Sequence, residues 1–233
     1  MAGVGRGRDL WDGLTPYRLV GMVLLMTEQR DSKTKFLDAA VRVIRSKGYA
    51  ATTVDDLCEE AKLTKGSFFH HFSSKEQLVR EAALRFDETC ASFFAENAYH
   101  SVKDPVDRIL AYVDLRIAIL EGDLPSFTCL FGTMVQETYR THPAIREICE
   151  RSIMGHAETL EADIAEALRD RHIEHDWTAR SLALHSQAVL QGAFILAKAK
   201  GGPEVAAESI RHLRRYFELL FGKRKRKVKI HHA

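Results

Sequence analysis

The residues best suited to chemistry sit together in KLTKGSFFHHFSSKEQL, Lys62 to Leu78, which holds three lysines, three phenylalanines and the pair His70-His71. Adjacent imidazoles raise a metal site, lysines beside free backbone amides raise a phosphate site, and the phenylalanines raise a core. On a helix, His70 and His71 project about 100° apart, an arrangement that ill suits one ion. Lys65 and Lys75 each open a predicted helix, where a cation and unpaired N–H groups together favour phosphate.

The remaining reactive groups are dispersed. Cys58, Cys90, Cys129 and Cys149 contain no C-x-x-C pair, which points to free thiols in a reducing cytoplasm rather than a disulfide framework or zinc cage. His142, Cys149 and His156 recur every seventh residue and share a helix face, but two turns between ligands is too far for one metal. Arg116 follows Tyr112 by four residues in an otherwise apolar helix, so it holds either an anionic ligand or a structural carboxylate such as Glu137. Nucleophile elbow, P-loop, dinucleotide glycine motif and paired-histidine zinc motif are all missing. The sequence therefore predicts no catalytic residue, no metal and no cofactor.

These groups must be positioned by helices, because no stretch alternates with period two for long. Ser32 is a candidate N-cap for a helix over 33–47, where Phe36, Leu37, Ala40, Val41 and Ile44 recur at helical spacing and Gly48 supplies the stop. Thr53 caps a short helix, 54–61, with Asp55 and Asp56 in its first turn. Thr64 caps another, 65–71. Ser73 and Glu76 have capping-box spacing and start a fourth helix that runs to about 99. Pro105 opens a helix to about 121, and further helices are predicted at about 126–139, 143–170, 177–199 (capped by Asp176 or Thr178) and 203–221. The fold class is all-α, with about nine helices.

Charge is distributed unevenly over the 233 residues despite a net of only +2. Residues 1–80 carry 13 Lys/Arg against 10 Asp/Glu, residues 81–222 carry 15 against 22, and the last eleven carry 6 against none. A basic front and an acidic middle suit a protein of which one part meets a polyanion. The apolar share of 45% is ordinary for a globular chain, and no apolar run reaches the ~20 residues of a membrane helix. Residues 1–31 read as a flexible extension, not a signal peptide, and 223–233 as a basic tail able to add non-specific DNA affinity.

Two short helices, 54–61 and 65–71, joined by about three residues have helix-turn-helix spacing. The second enters the major groove N-terminus first in such a unit, and Thr64, Lys65, Gly66 and Ser67 make that end small and cationic. Phe68 and Phe72 lie at i, i+4 on a face that can pack inward, with Phe69 and His70 turned elsewhere.

On these residues the segment FLDAAVRVIRSKGYAATTVDDLCEEAKLTKGSFFHHFSSKEQLV resembles the DNA-binding domain of the TetR/AcrR family of transcriptional regulators. The resemblance covers about fifty residues; beyond them only helix number and order agree. It implies a DNA-binding head over 32–80 and a ligand-binding and dimerisation domain over 81–222. It implies phosphate contacts at Thr52 or Thr53, Thr64, Phe69, His71 and Lys75, and base contacts near Lys65, Gly66, Ser67 and His70. Two positions depart from the family pattern. Lys62 stands where glycine is common, which forces a non-glycine residue toward the left-handed region, and Phe69 stands where tyrosine often bonds a phosphate.

The family also implies a pocket in the larger domain, for which Tyr112, Arg116, Phe127, Cys129, Phe131, Met134, Tyr139 and Trp177 are the candidates, against the plainer reading of ordinary core. Some family members sense electrophiles or oxidants through a cysteine near Cys129, but the apolar neighbours Phe127, Leu130 and Phe131 favour a buried core thiol. Leu182, His185, Val189, Ile210, Leu213 and Phe217 form stripes on the last two helices that can pair across a two-fold axis. The expected protein is a cytoplasmic homodimeric regulator, most simply a repressor, of a palindromic double-stranded DNA operator, released by a small-molecule effector. A non-specific architectural DNA-binding protein and a helical enzyme are the alternatives.

Overall fold

The computed structural model describes residues 31–222, whose regular elements are all helical, with no strand among them. The predicted extension, Asp31 apart, and the basic tail lie outside the described residues. Ten α-helices and one 3-10 turn follow in order: α1 (Ser32–Lys47), α2 (Val54–Ala61), α3 (Lys65–His71), α4 (Lys75–Ala95), the 3-10 turn Ala98–Ser101, α5 (Pro105–Ala118), α6 (Leu124–Phe127), α7 (Leu130–Thr138), α8 (Pro143–Arg171), α9 (Ala179–Lys200) and α10 (Glu204–Leu220).

Several boundaries move for identifiable reasons. Asp31, not Ser32, caps α1, its carboxylate accepting from Thr34 N at 2.7 Å. Ser74, not Ser73, caps α4 through Gln77 N, while Ser73 bonds the Gln77 side chain. The helix expected to reach 99 ends at Ala95, because Asn97 accepts from Tyr99 N and turns the chain into a 3-10 step. The helix expected over 126–139 is two, α6 and α7. Thr128 is extended between them, and the Cys129 sulfur accepts from Gly132 N to start the second. Thr178 caps α9 through a reciprocal capping box with Ser181.

The apolar core divides into two clusters. One joins Phe36, Ile44, Leu57, Phe68, Phe72 and Leu78 of the first four helices to Leu130, Phe131 and Met134 of α7 and Ile145, Ile148 and Cys149 of α8. The other fills the bundle of α5, α8, α9 and α10. Cys129 touches both. The first four helices are thus seated on the larger body by shared apolar packing. Polar ties join them too: Arg42 pairs with Asp123 at 2.6 Å, and the Glu137 carboxylate accepts from Ala50 N at 2.7 Å.

Candidate nucleic-acid interface

The α2–turn–α3 unit is held by its own caps and by one aromatic cluster. Thr53 and Asp56 exchange hydrogen bonds at the start of α2, and Lys47 closes on the same carboxylate at 2.6 Å. Lys47 foremost, then the Thr53 hydroxyl and backbone N–H, hold the Asp56 carboxyl well below the usual range. Lys62 ends α2 in the left-handed region, φ 56° and ψ 44°, donating its N–H to Cys58 and Glu59 carbonyls. The conformation inferred at this departure from the family pattern is therefore the one adopted. Thr64 then caps α3 by accepting from Ser67 N at 3.1 Å.

Phe68 and Phe72 are buried and meet Phe36 of α1 edge-on, with centroids 5.5 and 6.1 Å apart. This orients α3, because burying one edge of a seven-residue helix exposes the other. Thr64, Lys65, Gly66, Phe69 and His70 all face solvent, Phe69 with 60% of its surface exposed. Gly66 has only the Thr64 hydroxyl near an added Cβ, so backbone can be approached closely there. Ser67 is half-buried.

Several predicted contact residues are engaged by the protein itself. Thr52 is buried, with its hydroxyl donating to Gly48 O at 2.6 Å, which leaves Thr53 as the exposed threonine of the pair. His71 Nε2 lies 2.6 Å from Ser32 Oγ and ties α3 to the start of α1. Lys75 donates to Tyr49 O at 2.9 Å and Thr52 O at 2.8 Å, with its ammonium 4.2 Å above the Tyr49 ring. Burial lowers the Lys75 pKa, opposed by Glu137. Lys65 is exposed but forms an ion pair with Asp55 at 2.6 Å, which raises its pKa.

The candidates in the larger body disperse. Tyr112 is fully buried, its hydroxyl 2.8 Å from His156 Nε2. Phe131 and Met134 belong to the core shared with the head, and Tyr139 is exposed, so these three do not join Phe127 and Trp177, which pack in or against the bundle core. Arg116 stands over the Phe94 and Phe194 rings, and the alternative that it pairs with Glu137 is set aside, since Glu137 bonds Ala50. Of the eight, only Cys129 lines the cavity of about 370 Å³ between the end of α1, α7 and α9. Residues missed by the sequence reading, Lys198 and Gln191 among them, line the rest. Spacing alone could not flag them, because α9 carries polar residues on more than one face.

The proposed dimer stripe is also corrected. Leu182, Ile210, Leu213 and Phe217 are buried within the protomer and serve its own core. His185 is exposed and meets Tyr216 edge-on, with centroids 5.6 Å apart, and Val189 is half-buried. The apolar residues left outside on these helices are Ile195, Leu196, Tyr216 and Leu219, the last 80% exposed. The deepest stripe of α10 faces α5 and α9.

A short-helix pair with an exposed second helix, seated on a larger helical body, defines a helix-turn-helix transcriptional regulator. Residues 36–82 match the model for bacterial regulatory proteins of the tetR family, and residues 105–213 match the tetracyclin repressor-like C-terminal domain. The chain belongs to the TetR family, whose matched relatives are transcriptional regulators, not enzymes.

Among those relatives are the Bacillus subtilis HTH-type transcriptional regulator LmrA, 27% identical over 143 residues (56% of this chain, 70% of the relative), and the Escherichia coli regulator UidR, 27% identical over 89 residues (37% and 45%). The Staphylococcus epidermidis icaADBC negative regulator IcaR is 31% identical over 64 residues (28% and 32%). Matches to several curated relatives thus span less than two thirds of their length. Similar folds include a TetR-family regulator from Agrobacterium tumefaciens (TM-score 0.71, 19% identity, covering 79% of this chain and 96% of that one) and E. coli NemR in its reduced form (0.65, 20%, 79% and 96%). A TetR regulator from Chloroflexus aurantiacus aligns at 0.67 with 26% identity, over 79% and 93%. Among the described residues no helix is long and apolar enough to cross a membrane, and no group of three His, Cys, Asp or Glu could hold a metal.

Proposed function

We propose that the chain is a cytoplasmic, homodimeric repressor that binds a near-palindromic operator and is released by a small-molecule effector. The observation that carries this reading is the outward edge of α3. Lys65, Gly66, Phe69 and His70 are exposed on a helix whose opposite edge is locked to α1 through Phe68 and Phe72. Thr53, Thr64, Ser67, His71 and Lys75 flank that edge, and the last two reach DNA only with the hydrogen-bonding capacity their internal bonds leave. Two copies of α3 must fall about 34 Å apart, or a multiple of it, to read successive major grooves.

The exposed residues of α9 and α10 supply the self-association surface. Gly192 lies between His185 and Ile195 on α9, and an added Cβ there meets nothing within 4 Å, so a partner helix can approach closely. Leu219→Asp is expected to leave helicity unchanged and to shift the light-scattering mass from about twice 26.4 kDa to that of one chain. A variant that remains dimeric would remove this surface from the reading.

Selection from random duplex DNA tests the function itself. One enriched palindrome supports the regulator. Uniform binding to all duplexes would instead support the architectural alternative, and no binding would defeat both.

A further inference from the structure

Positive charge gathers where α1, α4, α5, α7 and α9 meet. Arg45 of α1 lies 5.4 Å over the Phe86 ring, Arg116 of α5 lies 5.1 and 5.9 Å over Phe94 and Phe194, and Lys198 of α9 donates to Thr133 Oγ1 at 2.7 Å. Of the nearby carboxylates, Asp123 and Glu60 pair with Arg42, while Glu137, which accepts from Ala50 N, also lines the cavity and favours the charged form of Lys198. Among the described residues Arg45, Arg116 and Lys198 therefore have no carboxylate at ion-pair distance.

Three side-chain atoms among the described residues are shut from solvent without a hydrogen-bond partner: Arg45 Nε, Arg116 Nε and Gln187 Nε2. All are donors, and two belong to cations. Gln187, 5% exposed, lies near the Tyr112 hydroxyl without a well-aligned bond to it. Buried donors and cations are retained unmatched only at a free-energy cost.

Cys90 and Cys149 carry no negative charge to offset these cations, since burial pushes the pKa of Cys90, beside Arg45, to about 12, and that of Cys149 likewise. Burial lowers the pKa of Arg45 to about 10, and burial followed by repulsion from Arg45 lowers that of Lys198. The cavity of about 370 Å³ opens beside this cluster, with Lys198, Thr133 and Gln191 on its polar side and Phe194 and Ile195 on its apolar side. Its volume is within the range of small-molecule sites.

We propose that this cavity takes an amphipathic organic anion, its carboxylate or sulfonate on Lys198 in the field of Arg45 and Arg116, its apolar part on Phe194 and Ile195. The inference deepens the effector reading above and rests on it for its regulatory meaning. Lys47 and Gly48 of the head line the same cavity as Gln136 and Glu137 of α7, so an occupant touches both parts at once.

The test uses two fluorescent probes that differ by one charge, 8-anilinonaphthalene-1-sulfonate and the uncharged N-phenyl-1-naphthylamine, titrated into the full chain. The sulfonate is expected to saturate at one site per protomer and to bind at least tenfold tighter than the neutral probe. Lys198→Met should remove that tenfold preference while leaving neutral-probe affinity within twofold, and Lys198→Arg should keep the preference. Circular dichroism establishes that the variants fold; if Lys198→Met does not, the wild-type probe pair with Lys198→Arg decides. Equal affinity for the two probes, no saturable sulfonate binding, or a folded Lys198→Met with unchanged preference overturns the inference. Operator selection is run separately without probe, so its failure defeats the regulator reading and leaves the anion preference standing.

Discussion

Replacing Lys75 by methionine separates two roles that the sequence alone merges. The Lys75 ammonium donates to the carbonyls of Tyr49 and Thr52 at 2.9 and 2.8 Å and lies 4.2 Å above the Tyr49 ring. Those carbonyls close the turn between α1 and α2, where Thr52 N also donates to Tyr49 O at 3.2 Å. Methionine keeps the length and apolar stem of the side chain and deletes every donor. Hydrogen bonds from a charged donor contribute about 1.5–3 kcal/mol each, and a partly exposed cation–π contact adds roughly 0.5–1. Two bonds from one ammonium are not independent, and water reaches part of this site, so the expected loss is about 2–3 kcal/mol.

Urea unfolding followed by circular dichroism, at fixed protomer concentration, reads that loss as a lower midpoint at unchanged slope. The salt dependence of operator binding reads the other role. An ammonium whose main work is neutralising a phosphate would give a parent-like midpoint and a log–log salt slope shallower by about 0.9. Two of its three N–H donors are already used, so the structure favours lost stability with a nearly unchanged slope. A variant as stable as its parent would refute the assignment of Lys75 to the turn.

Three further changes probe the backbone and a buried titratable group. Lys62→Gly relieves a left-handed residue at φ 56° and should raise stability by about 0.5–1 kcal/mol, read as a higher urea midpoint. Gly48→Ala puts a side chain at φ 87°, with a Cβ 2.1 Å from Glu137 Oε1. It should destabilise by about 1–3 kcal/mol from the backbone alone, and Glu137→Ala in the same chain should recover the clash but not that part. His156 is held neutral by burial, with Arg116 adding to it, its pKa lowered to about 3 against roughly 6.5 unfolded. Its contribution is fully present above pH ~6.5 and falls as pH drops toward 3, by at most about 1.4 kcal/mol per unit. His156→Gln should flatten the decline in urea midpoint between pH 7 and 5, and an unchanged decline would show that His156 is not its source.

The head was legible because its determinants are local. Thr53, Thr64 and Gly48 act within a few residues of themselves, and Phe68 with Phe72 makes a face that periodicity reveals. What stayed hidden depends on partners distant in sequence. Arg116 left two readings open until Glu137 was found on Ala50, 87 positions away from it. On α10, Ile210, Leu213 and Phe217 are as apolar as an interface would be, and only the packing of α5 and α9 shows which stripe is already covered. The split of α6 from α7 was missed because a cysteine sulfur as N-cap falls outside the usual Ser, Thr, Asp and Asn signal.

These separate observations meet at the turn between α1 and α2. Coupling between an occupied cavity and DNA requires an element with partners on both sides whose arrangement each side can bias. Residues 48–53 have such partners: Glu137 on Ala50 N and His142 against the Tyr49 ring at 4.8 Å from the body, Lys75 on the Tyr49 and Thr52 carbonyls from the foot of α4. The α2 cap follows directly, since Thr53 is the next residue. On the effector reading proposed above, an occupant that repositioned Glu137 would act first on Ala50, then on the entry to α2, and through α2 on the presentation of α3. Gly48 at the head of this turn is both the stop of α1 and a wall of the cavity, so small size there serves the helix end and leaves the cavity open.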